Sequence, residues 1–137
     1  MNPLYMLDTD ICSYLIRRRD EQLDRQFRSV HPSSVCVSAV VRAELIYGLR
    51  NLPSSHRLKI DVPFFLNAIR LLSWDEKCAD FYADIRYQLK RSGQPIGELD
   101  MMIAAHAIAV GAVLVTNNVR HYQRIPLPLQ IENWVST

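Results

Sequence analysis

Short apolar runs alternating with helix-period segments predict an α/β domain of three layers, α/β/α, around a central parallel sheet. Leu4–Leu7, Val35–Ser38 and Ala112–Thr116 are the clearest runs. They are apolar nearly throughout instead of alternating, which favours strands covered on both faces. Few hairpin signals separate them, and each is followed or preceded by a helical pattern, as crossover connections require.

The first strand, Leu4–Leu7, ends at Asp8, after which Thr9 and Asp10 open a helix through Ile11, Tyr14, Leu15 and Ile16. Arg17, Arg18 and Arg19 then form a basic run that suits a helix C-terminus. From Arg19 to about Ser34 the chain is polar apart from Leu23 and Phe27, which predicts a short surface helix and a loop. The second strand, Val35–Ser38, leads through a Ser38 cap into the helix AVVRAELIYGLRN, where Val40, Val41, Ile46 and Leu49 make an inward stripe. Glu44 falls in its second turn. A half-buried Glu in an apolar helix is costly unless it is paired, metal-bound or protonated, so Glu44 needs a partner or an exposed position. Gly48 marks close packing or an early helix end.

Ser54–Leu72 reads as helical but interrupted by Pro63, giving two pieces or one kinked helix. The LLSW run is an edge-strand candidate. Asp75 can cap a long helix through Cys78, Phe81, Ile85 and Leu89, with Lys90 and Arg91 in its last turn and Gly93 beyond. A further helix carries Asp100 at its opening and Ile103, Ala104, Ala107 and Ile108 at helical spacing, with Gly111 just past its end. The strand Ala112–Thr116 follows, ending at Asn117 and Asn118. Pro126 and Pro128 confine the tail to an edge strand or a wrapped segment.

The length of 137 residues fits one domain, residues 1–137, able to bury about two thirds of the surface of its unfolded chain. A net charge of +2 is too small to argue a nucleic-acid footprint, although 13 Arg against 3 Lys favours phosphate contacts slightly. Cys12, Cys36 and Cys78 are odd in number and without metal-ligand spacing, as in a reducing cytoplasm. No signal peptide or membrane span is expected.

In a parallel sheet the strand ends share one edge, where ligands bind, and helices that follow strands begin there. Asp8, Glu44 and Asp100 are therefore expected to converge, with Thr116, Asn117 and Asn118 beside them. Asp100 alone is equally a favourable charge at a helix N-terminus, by roughly 0.3 to 1 kcal/mol. Three gathered carboxylates repel one another, and a hard divalent cation removes the conflict. An all-oxygen set suits Mg²⁺ or Mn²⁺, which can activate water at a phosphodiester.

The motifs MLDTDIC, SAVVRAELIYG, PIGELDMMIAAHA, LVTNNVRHYQRI and IENW, in this order, resemble those of PIN-domain ribonucleases, and more narrowly VapC-type toxins of type II toxin–antitoxin pairs. The resemblance spans nearly the whole chain. It implies a Mg²⁺-dependent (or Mn²⁺-dependent) endoribonuclease in which Asp8, Glu44 and Asp100 match the core acids, with Asp8 and Asp100 as metal ligands. Thr116 matches a polar residue at the site's edge. Asn118 stands where a fourth acid is common and brings no charge. Asp10 replaces the usual Asn as either a metal-site acid or a helix-opening charge, and Glu98 is a supporting candidate. The implied partners are a VapB-type antitoxin whose tail covers an apolar groove, a second copy in a homodimer, and structured RNA. That RNA is most often tRNA, with the initiator anticodon stem-loop as first candidate.

Three alternatives remain at this point. Asp8 and Asp10 imitate the D-x-D pair of a haloacid-dehalogenase-like phosphatase, but no Lys fits that family's pattern. His106 and His121 could act as a metal-free acid–base pair. A non-catalytic RNA- or protein-binding domain would keep the acids as caps and salt bridges.

Overall fold

The computed structural model describes residues 2–136. Five strands, β1 (Tyr5–Leu7), β2 (Val35–Ser38), β3 (Arg70–Leu72), β4 (Val113–Val115) and β5 (Gln130–Glu132), form one sheet in the order β3-β2-β1-β4-β5. Every pairing is parallel, with Met6 opposite both Cys36 and Leu114. This is the predicted α/β/α arrangement. All strand carboxyl ends lie on one edge, and chain direction across the sheet reverses between β1 and β4, where open α/β sheets form their crevice.

Seven helices among the described residues cover the faces: α1 (Thr9–Arg17), α2 (Glu21–Ser29), α3 (Ala39–Tyr47), α4 (Leu58–Ala68), α5 (Glu76–Arg91), α6 (Glu98–Val110) and α7 (Val119–Tyr122). β1, β2 and β4 are buried on both faces at nearly every position, which explains their unbroken apolar runs. β3 and β5 are edges, as the LLSW run and the proline-rich tail predicted.

Caps stop and start the helices where polar residues allow it. Ser38 accepts from Val40 N–H at 3.1 Å, Asp20 from Leu23 N–H at 2.8 Å and Asp75 from Cys78 N–H at 3.2 Å. Gly111 ends α6 at φ 69, a backbone region that glycine enters without steric cost. Gly48 closes α3, and a Cβ there would meet only carbonyls of its own helix at 3.5 Å, so it marks an end and not a close approach. α4 runs through Pro63 unbroken, while residues 51–57 form turns instead of helix.

α6 is buried nearly all round, through Met101, Ile103, Ala104, Ala105, His106, Ala107 and Ala109. Its small side chains allow α5 to pack closely against it. Trp134 of the tail packs edge-on against Tyr5, with ring centroids 5.1 Å apart, and pins the C-terminal segment to β1. No helix among the described residues is long and apolar enough to cross a membrane.

Candidate active site

Asp8 is the first residue past β1. Its backbone N–H still reaches Val115 O of β4 at 3.1 Å, while its side chain turns to accept Ile11 N–H at 2.9 Å and caps α1. Only 5% of Asp8 is exposed. Burial pushes its carboxyl up to about 6; hydrogen bonds from Thr116 and the Ile11 amide oppose the rise, and the charges of Asp10 and Asp100 add to it. Thr116 is fully buried, and its hydroxyl also accepts from Asn118 N–H at 2.9 Å. Thr116, at the end of β4, thus stands close enough to the end of β1 to lower the Asp8 carboxyl.

β1 and β2 are neighbours, so the helices that leave them, α1 and α3, run together. That brings Thr9 Oγ1 to 2.5 Å from Glu44 Oε1, to which it donates. Glu44 is half-buried. Burial raises its carboxyl above the ordinary range, the Thr9 bond lowers it, and the charges of Asp100 and Asp10 raise it further.

Asp100 sits in the first turn of α6, which opens at Gly97 without a side-chain cap. Its Oδ2 lies 2.9 Å from His121 Nε2, and its Oδ1 accepts from the Tyr122 hydroxyl at 3.2 Å. Asp8 and Glu44 both feel the Asp100 charge, so the three predicted acids share one edge of the sheet. Each also leans on its own donor, and among the described residues no three His, Cys, Asp or Glu side chains stand in an arrangement that would cage an ion. The donor chemistry fits a hard divalent cation: all oxygen, mutually repelling, and with two of the acids raised in pKa.

The supporting candidates divide. Asp10 is exposed in the first turn of α1, close enough for its charge to raise Asp8 and Glu44. Glu98 is exposed and pairs with Arg86 of α5 across 3.6 Å. Asn118 is exposed at the start of α7, where its side chain makes no capping bond. Thr9 and Tyr122 were not among the residues expected at the site, and His121 was expected there only in the metal-free alternative. The two histidines do not form a pair: His106 is buried with Nδ1 2.8 Å from Ser38 Oγ, whereas His121 serves Asp100.

The PIN domain family matches residues 5–126. The chain is 37% identical over 130 residues to the tRNA(fMet)-specific endonuclease VapC of Salmonella typhimurium, covering 95% of this chain and 97% of that protein. It is 35% identical over 132 residues to ribonuclease VapC2 of Rickettsia felis, covering 96% and 98%. The crystal structure of DNA-bound VapBC from Salmonella typhimurium superposes with a TM-score of 0.88 at 36% identity, over 96% of this chain and 98% of that one. These matches leave the haloacid-dehalogenase alternative without support. The chain belongs to the PIN-domain family, among its VapC ribonucleases.

Proposed function

We propose that this chain is a Mg²⁺-dependent endoribonuclease toxin that hydrolyses phosphodiester bonds in tRNA, inhibits translation, and is held inactive by a VapB-type antitoxin. The observation that carries this reading is the gathering of Asp8, Glu44 and Asp100 at the carboxyl edge of the sheet, around the ends of the neighbouring strands β1 and β4. Asp8 caps α1, but Ser or Thr could cap it without a charge; an acid raised to about 6 by burial and neighbouring carboxylates costs stability that a cap alone does not require. It is a good choice where the charge has work to do. The Salmonella typhimurium relative, named for tRNA(fMet), favours initiator tRNA as the substrate.

In this reading Asp8 and Asp100 would hold the ion, and Glu44 and Asn118 would help orient the attacking water. A bound Mg²⁺ supplies activation of that water and stabilises charge at the phosphodiester in transit. Thr116 fixes the Asp8 carboxylate and Thr9 fixes Glu44, so that both acids are placed before RNA arrives. A groove of about 1030 Å³ lies between α1, α2 and α4, lined by Leu15, Phe27, Phe65 and Ile69 and by Arg17, Arg28 and Arg57, and shares Ile16 and Leu58 with the cavity beside Glu44. It suits the apolar tail of an antitoxin, the partner that the VapBC structures contain. The three cysteines are free and buried, which suits work in the cytoplasm.

The test is incubation of the wild-type protein and Asp100→Asn with total bacterial tRNA, in Mg²⁺ and in EDTA. Discrete fragments that require both the metal and Asp100 are expected, with ends mapping to the initiator anticodon stem-loop. Equal behaviour of the two proteins on tRNA, ribosomal RNA and mRNA would overturn the nuclease reading in favour of a binding module.

A further inference from the structure

Both oxygens of the Asp100 carboxylate are engaged by consecutive residues of one short element. His121 Nε2 stands 2.9 Å from Oδ2, and the Tyr122 hydroxyl donates to Oδ1 across 3.2 Å. An ionised carboxylate offers no proton, so the facing His121 nitrogen carries the hydrogen and donates. The two rings brace each other edge-on, with centroids 5.6 Å apart and planes at 84°. Tyr122 is 2% exposed, and its buried hydroxyl finds its partner in Asp100. Burial and the Asp100 charge raise the phenol far above its ordinary range, so it stays a donor.

The Asp100 side chain is itself 39% exposed, at a helix opening with no capping side chain of its own. A carboxylate so placed has rotamer freedom that α7 removes. α7 starts directly beyond β4, so the same strand that presents Thr116 to Asp8 delivers His121 and Tyr122 to Asp100. Each Asp100 oxygen keeps a second lone pair for a ligand after accepting one hydrogen bond.

We propose that His121 and Tyr122 are positioning residues that clamp Asp100 as a ligand for a divalent cation, with His121 the dominant donor. The inference rests on the metal-dependent reading above. Partners of this kind, which hydrogen-bond a ligating carboxylate, commonly change metal affinity by about 10- to 100-fold.

The test is Mn²⁺ binding to the full-length protein without RNA, followed by electron paramagnetic resonance of the free ion. Wild type, His121→Ala, His121→Gln, Tyr122→Phe and Asp100→Asn are compared, each checked for its thermal melt in EDTA. Wild type is expected to bind Mn²⁺ and Asp100→Asn to lose it. His121→Ala is expected to weaken binding by about tenfold or more and Tyr122→Phe by less, while His121→Gln, whose amide can donate to the same oxygen, recovers most of it. Wild-type affinity in His121→Ala, or a Gln variant as weak as the Ala variant, would overturn the clamp alone. A wild-type protein that binds no Mn²⁺ would overturn the metal reading and the clamp with it.

Discussion

Thr9 Oγ1 donates to Glu44 Oε1 at 2.5 Å, joining the first residue of α1 to the middle of α3 across 35 positions of sequence. A hydrogen bond to a charged acceptor contributes about 1.5 to 3 kcal/mol, and partial exposure puts this one at the low end. If Glu44 acts in RNA cleavage, its loss of orientation falls on the rate. Thr9→Val, which keeps the shape and removes the hydroxyl, is expected to lower single-turnover cleavage about tenfold, equivalent to about 1.4 kcal/mol. Thr9→Ser should stay within about twofold of wild type. Equal rates for Val and Ser variants would show that Glu44 needs no such anchor.

Ser38 does two things at the end of β2. Its Oγ accepts Val40 N–H at 3.1 Å to cap α3, and it donates to His106 Nδ1 at 2.8 Å on α6. Burial lowers the His106 pKa, which keeps the ring neutral and Nδ1 able to accept. Ser38→Ala removes the cap and leaves a buried ring nitrogen unpaired, together about 2 to 4 kcal/mol. Urea unfolding should show this as a lower midpoint with an unchanged slope. A midpoint within about 0.5 kcal/mol of wild type would mean that water replaces the serine.

Much of this architecture was legible because the signals were local. Apolar runs that stop abruptly at Asp8, Ser38 and Thr116 marked both the strands and their shared edge, and the caps of α2, α3 and α5 lie three or fewer residues from the amides they bind. Asp8 and Asp100 were legible for the same reason, each standing close to an element boundary, whereas Glu44, in the middle of α3, stood out as a carboxylate in an otherwise apolar helix. What stayed hidden was contact between distant segments. His121 meets Asp100 across 21 residues, and no periodicity connects a four-residue helix to the start of α6. The Thr9 hydroxyl could be seen opening a helix, but its use by Glu44 depends on β1 and β2 being neighbours. Of the two readings that Pro63 left open, the structure has the single helix and not two pieces. Pro63 sits at the sixth position of α4, where one lost N–H leaves a break optional, and packing of Val62 and Leu66 carries the helix across.

Arg18 is the one non-glycine residue with positive φ among those described, at φ 54 and ψ 48. It ends α1 by giving its N–H to Leu15 O at 3.3 Å, while Arg19 N–H reaches back to Tyr14 O at 3.0 Å. A side chain there costs about 1 kcal/mol that glycine does not. Arg18→Gly is expected to raise stability by about 0.5 to 1 kcal/mol, and Arg18→Val to lower it by more than that, since β-branching disfavours this region. Denaturant midpoints measure both. A destabilised Gly variant would show that the Arg18 side chain contributes contacts worth more than its strain.

Asp8 should make the protein's stability fall with rising pH. Its carboxyl is raised from 3.8 to about 6, mainly by burial, so the native state binds that proton more tightly than the unfolded chain does. The stabilisation is fully present below about 4 and is lost as pH rises through about 6, by up to about 3 kcal/mol. Asp8→Asn keeps an oxygen to accept Ile11 N–H and Thr116 Oγ–H but carries no charge. In EDTA the variant should therefore melt several degrees higher than wild type at pH 7.5, and the two should converge near pH 4. It should also lose cleavage at every pH, because the charge that weakens the fold is the one proposed to hold the metal. A variant that melts no higher than wild type at pH 7.5 would mean that burial of Asp8 carries no net cost.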